Sequence, residues 1–144
     1  FREYCRVHQD DVLDGKQVYL LRNESKRGLG FFEANNFYPD FILWILDGEK
    51  QYITFIDPKG IRNLKGLEDD KIQLFKYLQT EVSSQLGNAH LMLNSFIISN
   101  TPMEQVEFWL KNPFEKGEFQ KNHVLFKDDK GYLETMMNMI LQYI

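Results

Sequence analysis

The sequence predicts an α/β fold in which a mixed central sheet is flanked by helices, and three observations carry that expectation. Two apolar, β-branched segments are separated by a tight-turn signal, and a third strand-like segment precedes them. A helix-periodic stretch over residues 67–86 then leads into another strand. Beyond it helical and strand patterns alternate to the end of the 144 residues, giving the order (α)βββαβαβα.

Each element has its own reason. Residues 1–14 are expected to be helical, with Asp14-Gly15 as the stop. QVYLLRN at 17–23 alternates and is rich in bulky residues, as a strand requires. ESKRGLG at 24–30 is a charged, glycine-bearing loop. FILWIL at 41–46 is an unbroken apolar run, expected to be a strand buried on both faces. Asp47-Gly48 marks a tight turn, and QYITFI at 51–56 returns as its hairpin partner. In the helix at 67–86, apolar residues at 67, 72, 75, 78, 82 and 86 share a face, acidic residues crowd the first turn, and Gly87 closes it. LMLNSFIIS at 91–99 is a strand. Thr101-Pro102 with Glu104 opens a helix over 103–111, HVLF at 123–126 is a short strand, and 131–144 is a closing helix whose Met136, Met137 and Met139 suit core or interface packing.

The length favours one domain over 1–144 with a real core. Phe1 in place of Met is what a processed chain, or a piece of a longer one, would show. A net charge of −4 counts against a dedicated nucleic-acid-binding module, although a local basic strip can still face phosphates. One cysteine, Cys5, excludes an internal disulfide and a cysteine-based zinc site. No apolar run approaches the roughly 20 residues that cross a bilayer, and no signal peptide opens the chain. The expected setting is a reducing cytoplasm.

Chemistry concentrates in NNFYPDFILWILDGEKQYITFIDPKG, residues 35–60. Asp40 precedes one hairpin strand, and Asp57 and Lys59 end the other, nearly symmetric about the turn. Cross-strand neighbours on one face lie within roughly 5 Å at Cβ, so two carboxylates can share a cation. Residues i and i+2 of a strand face the same way, which sends Asp57 and Lys59 into one cleft. Pro58 between them points away, leaves its carbonyl free as a metal ligand, and is expected to end the ladder. Gly60 permits a sharp turn and close approach of a phosphate. Such a pair of acids suits a hard divalent cation completed by water and substrate phosphate, with a lysine to stabilise growing phosphate charge. Either PD or DPKG alone reads as an ordinary turn. Both at the open end of one hairpin need a cation to relieve their repulsion.

The order PD, hydrophobic strand, (D/E)xK resembles the motif of the PD-(D/E)xK nuclease superfamily. The fuller text, YLLRN…GFFEANNFYPDFILWI…ITFIDPKG over residues 17–60, is similar to the endonuclease domain that follows the helicase part of type III restriction enzymes and related restriction helicases. The resemblance implies a restriction-endonuclease-like core of αβββαβ type in a prokaryotic, cytoplasmic restriction system. It implies DNA as substrate and Mg²⁺ as cofactor, with Mn²⁺ as a substitute. ATP enters only through a helicase domain outside this chain, with a methyltransferase or specificity subunit as a further partner. Asp40 and Asp57 would be metal ligands, joined by the Pro58 carbonyl, and Lys59 the catalytic lysine. A further acidic residue is often added; Glu3, Asp10, Asp11, Asp14, Glu24 and Glu33 are candidates, Glu33 being favoured beside Phe31-Phe32.

Gln73 and Tyr77 fit the QxxxY spacing of some exonuclease members and share a helix face, although a polar flank of a surface helix has the same spacing. Arg22, Lys26 and Arg27 precede the motif and Arg62 and Lys65 follow it, either as phosphate contacts or as solubilising charge. His8, His90 and His123 lack ligand spacing, nucleophile motifs are absent, and Gly28-Leu29-Gly30 is too short to cradle a phosphate. An idle docking domain for a helicase, or an exonuclease, are the alternatives to an endonuclease.

Overall fold

The computed structural model describes residues 1–142, which form an α/β fold with a five-stranded mixed sheet and flanking helices. Strands β1 (Gln17–Arg22), β2 (Phe41–Asp47) and β3 (Lys50–Lys59) make an antiparallel meander. A helical crossover then brings β4 (Leu91–Ser99) parallel to β3, and β5 (Val124–Phe126) is parallel to β4, so the strands lie in sequence order. The β2–β3 loop is Gly48-Glu49 between the paired Asp47 and Lys50, and Gly48 takes φ +58°. Glycine at that first central position is what a two-residue loop with a positive φ favours.

Register divides the side chains between two apolar layers. Phe55, Leu93, Ile97, Val124 and Phe126 pack beneath α2 (Asp70–Tyr77) with Ile72, Leu74 and Leu78. On the other face Leu43, Ile45, Tyr52, Ile56, Phe96 and Ile98 meet Met136, Met137 and Ile140 of the closing helix. Met136 and Met137 therefore fill the core, and Met139 packs partly covered at its margin.

Several boundaries depart from the sequence expectation. The first helix, α1, spans only Arg2–Val7, and turns follow to Gly15. Of the 41–46 run only Leu43 and Ile45 are buried; β2 has one fully covered face. The helix expected from 67 starts at Asp70, because Asp69 caps it by accepting from Lys71 N. It passes through a π-turn, Leu78–Val82, into α3 (Ser83–Leu86), and Gly87 closes it at φ +59°. The 103–111 helix is a 3₁₀ turn, Met103–Gln105, followed by α4 (Glu107–Lys111). A helix the pattern did not show, α5 (Lys116–Lys121), buries Phe119. The closing helix α6 spans Tyr132–Leu141, and residues 143–144 of the expected 131–144 helix lie outside the described residues.

Pro58 does not end the ladder: pairing with β4 continues through Pro58↔Ile98 to Lys59↔Ser99. Gln51 N donates to His90 O and Asn100 N donates to Lys59 O, so odd-numbered residues of β3 direct their amides and carbonyls toward β4. Pro58 belongs to the even set, facing β2 beyond the last β2–β3 pair at Phe41↔Ile56. Its missing N–H interrupts no bond.

Candidate metal centre

The end of β3 that carries Asp57 emerges on the α2 face, as its odd parity with the packed Phe55 requires. Continuing the β2–β3 register by one step places Asp40 opposite Asp57, and the Asp40 amide donates to Asp57 Oδ1 at 3.3 Å. Lys59 Nζ lies 2.8 Å from Asp57 Oδ2. Oδ2 is buried, and this ammonium is its charge partner. Asp57 is 5% exposed, whereas Asp40 faces solvent. The pair is therefore asymmetric, with one carboxylate at the floor of the site and one at its rim.

Burial raises the Asp57 carboxyl above its ordinary range. Lys59 draws it back down, the Asp40 charge raises it again, and the Asp40 amide lowers it slightly. Desolvation dominates. Two neighbouring carboxylates, one of them buried, share the single Lys59 ammonium, so the site has its charges balanced only in part from within the protein. Its donor set fits Mg²⁺, which takes one or two carboxylates and leaves the remaining positions to water and phosphate. Among the described residues no group of three or more Asp, Glu, His or Cys is arranged to hold an ion, so a closed all-protein cage is not present there.

Two elements that the sequence reading passed over hold this geometry. Asn23, at the end of β1, donates through Nδ2 to Leu29 O at 2.7 Å and Pro39 O at 2.8 Å. It also accepts from Leu29 N, and its own amide donates to Asp40 O. One side chain thus pins the basic loop to the backbone immediately before Asp40. The second element is Phe37, whose ring centroid is 4.6 Å from Lys59 Nζ and 5.9 Å from Lys71 Nζ. Both ammoniums meet the ring within cation–π range, which restrains Lys59 and brings Lys71 of α2 to the same end of the sheet.

The remaining expected residues are dispersed. Arg22 stands over Phe41, 5.8 Å from its ring centroid, on the α6 face and thus opposite Asp57. Lys26 and Arg27 are exposed on the loop that Asn23 clamps, Lys26 at φ +65°. Arg62 donates to Gln105 Oε1, and Lys65 lines a groove with Asn35, Asp69 and Lys71 at the start of α2. Gln73 donates to Leu67 O at 2.6 Å and Asn122 Oδ1 at 2.9 Å, so its amide ties α2 to α5. Glu33, exposed on the 3₁₀ turn Phe32–Ala34, lines a shallow groove with Asp70, Gln73 and Tyr77. Of the other acids, Glu3 pairs with Arg6 and Asp11 with His8. Asp10, Asp14 and Glu24 are exposed.

Sequence signals existed for part of what was missed. Phe37 is one of four aromatics in residues 31–40, with Phe31, Phe32 and Tyr38. Asn23 had only its place between a strand and a glycine loop. No protein-family model, curated protein or solved structure matches the chain. No helix among the described residues is long and apolar enough to cross a membrane.

Proposed function

We propose that the chain is a metal-dependent endonuclease domain that hydrolyses DNA phosphodiester bonds, on a restriction-endonuclease-like core within a type III-like restriction helicase-nuclease. The observation that carries the reading is Asp57, a buried carboxylate whose Oδ2 meets only the Lys59 ammonium, with Asp40 across the ladder. Support also comes from the order α1-β1-β2-β3-α2-β4, which is the αβββαβ order the resemblance implies.

Asp40 and Asp57 would hold Mg²⁺, or Mn²⁺ in its place, with the Pro58 carbonyl as a further ligand. When bound, the ion supplies charge neutralisation at the phosphate and a lowered pKa for the attacking water. Asp57, at the floor, fixes depth; Asp40, at the rim, leaves the open side to DNA. Lys59 sits on Oδ2 in the free protein. With a cation taking over the carboxylate charge, its ammonium is free to face the phosphate oxygens, where growing negative charge rewards a fixed donor. Phe37 limits how far Lys59 swings. ATP use and the methyltransferase or specificity subunit follow from the resemblance alone.

Cleavage of supercoiled plasmid with Mg²⁺ tests the reading. Wild type should nick or linearise it, and Asp57→Ala and Lys59→Ala should not; unchanged cleavage by either variant contradicts the assignment. The Asp57–Lys59 ion pair also favours a second reading, an idle docking domain whose lysine neutralises the acid permanently. Calorimetry separates the two, because the idle domain binds neither Mg²⁺ nor Mn²⁺.

A further inference from the structure

Phe32 is 83% exposed, the most exposed of the large hydrophobic residues among those described. A phenyl ring left in water forgoes the burial that normally places phenylalanine inside. Single apolar residues on surfaces are common, so exposure alone decides nothing. What distinguishes Phe32 is the rigidity of its mounting.

Phe31 and Phe37 form an antiparallel bridge, exchanging N–H···O bonds of 2.8 and 3.0 Å that close the loop on both sides. Tyr38 lies against Gly30 so closely that a Cβ there would be 2.4 Å from its ring. Ala34 is buried, and Asn35 Nδ2 donates to Asp70 of α2 at 2.8 Å. Asn35 and Asn36 both hold left-handed backbone, at φ +56° and +55°. Asparagine takes that region more readily than most residues, and the two together turn the loop back to the bridge. The loop is thus tied at Phe31, Ala34, Asn35 and Phe37, while the Phe32 side chain stands in solvent.

Its position is continuous with the metal centre. Phe31 packs edge-on against Phe55, centroids 4.8 Å apart, and Phe55 precedes Asp57 by two residues on the same face. Phe37, the other side of the bridge, holds Lys59. Lys26 and Arg27 sit on the adjoining loop, tied by Asn23 to Pro39. An exposed apolar ring, on a loop that joins the basic segment to the proposed phosphodiester-cleaving centre, matches a polyanion whose bases carry π-faces. We propose that Phe32 is a stacking platform for an unpaired nucleobase of the strand that enters the Asp57 site. Glu33 next to it disfavours phosphate at that spot and leaves the phosphates to the Lys26–Arg27 side. This inference rests on the nuclease reading for its substrate class.

The test is fluorescence anisotropy with a labelled single-stranded DNA and a blunt duplex of the same sequence, on the full chain with chelator present so that nothing is cut. Phe32→Ala should weaken single-strand binding by roughly 5- to 150-fold, the range for losing one base–aromatic stack. Phe32→Trp should restore it, with indole emission quenched on binding, and melting should be unchanged in both. Equal single-strand affinity of wild type and Phe32→Ala overturns the proposal. So does an equal loss on the duplex, or failure to bind DNA combined with self-association that Phe32→Ala abolishes, which would make the ring a protein contact. The two readings fail separately. Plasmid cleavage with Phe32-independent binding removes the platform alone; Phe32-dependent binding with cleavage indifferent to Asp57→Ala removes the nuclease centre alone.

Discussion

Asp57 and His123 are both buried titratable groups set around the parallel part of the sheet, and their surroundings differ in kind. His123 lies flat against Phe75, centroids 3.8 Å apart, with Phe96 at 4.6 Å, and its Nδ1 meets Ser95 O at 3.1 Å. Burial holds its pKa down at about 4, so it is a neutral aromatic at pH 7 and part of the core. Asp57 has one oxygen supported by the Asp40 amide and one whose partner is the Lys59 ammonium. Burial of an ionisable group is structural where the neutral form is packed and satisfied. It leaves room for a ligand where a buried charge is offset only by a lysine that itself reaches solvent, with a second carboxylate at the rim.

The largest expected effect is on chemistry at the Asp57 end. Lys59→Ala and Asp57→Ala should each lower Mg²⁺-dependent plasmid cleavage by at least about 10²-fold, while His123→Asn, measured where it is folded, should leave the rate per folded molecule within a few-fold. A loss of equal size in His123→Asn would break the comparison.

Stability should respond in the opposite sense. The folded pKa of His123, about 4, lies below its ordinary 6.5. Between those values the unfolded chain binds the proton that the folded chain refuses, so stability present above pH 6.5 is lost as pH falls toward 4. The expected loss is about 3 kcal/mol, read as a falling urea midpoint. His123→Asn, which tolerates the φ of +57° at that position, should flatten this dependence and lower the midpoint at pH 7.

Asn23→Ala should cost about 1–2 kcal/mol through the loss of its bonds to Leu29 and Pro39. It should also weaken Mn²⁺ binding in calorimetry, because the backbone before Asp40 is released. Unaltered metal affinity would confine Asn23 to the loop. The smallest effect has the opposite sign. Asp57→Asn removes a charge that burial disfavours and leaves Lys59 free to turn outward, so the melting temperature in chelator should rise by a few degrees, about 1 kcal/mol. The same variant should lose any stabilisation by Mg²⁺ that wild type shows.

The site was legible because two-residue parity and a hairpin turn are local rules. Once Gly48 fixes the loop, Asp40, Asp57 and Lys59 have one relative placement. Asn23 was not legible, since its role depends on carbonyls six and sixteen residues away. The π-turn at Leu78–Val82 left no mark in the spacing either: it shifts the helical phase, and Leu86, expected on the apolar face, is exposed. In α5, six residues with a glycine among them are too short for periodicity, and tertiary burial of Phe119 makes the helix. Pro58 misled for a physical reason: proline stops a ladder only where its nitrogen faces the partner, and parity is set by the neighbouring strand rather than by the residue itself.

The chemistry proposed for this end of the sheet turns on a cation between Asp40 and Asp57. Crystals soaked in Mn²⁺ and measured at the manganese edge test it directly. An anomalous peak bridging the two carboxylates, with Lys59 Nζ moved off Asp57 Oδ2, is the result expected. An intact Asp57–Lys59 pair with no peak there, at a concentration that saturates metal nucleases, would contradict it.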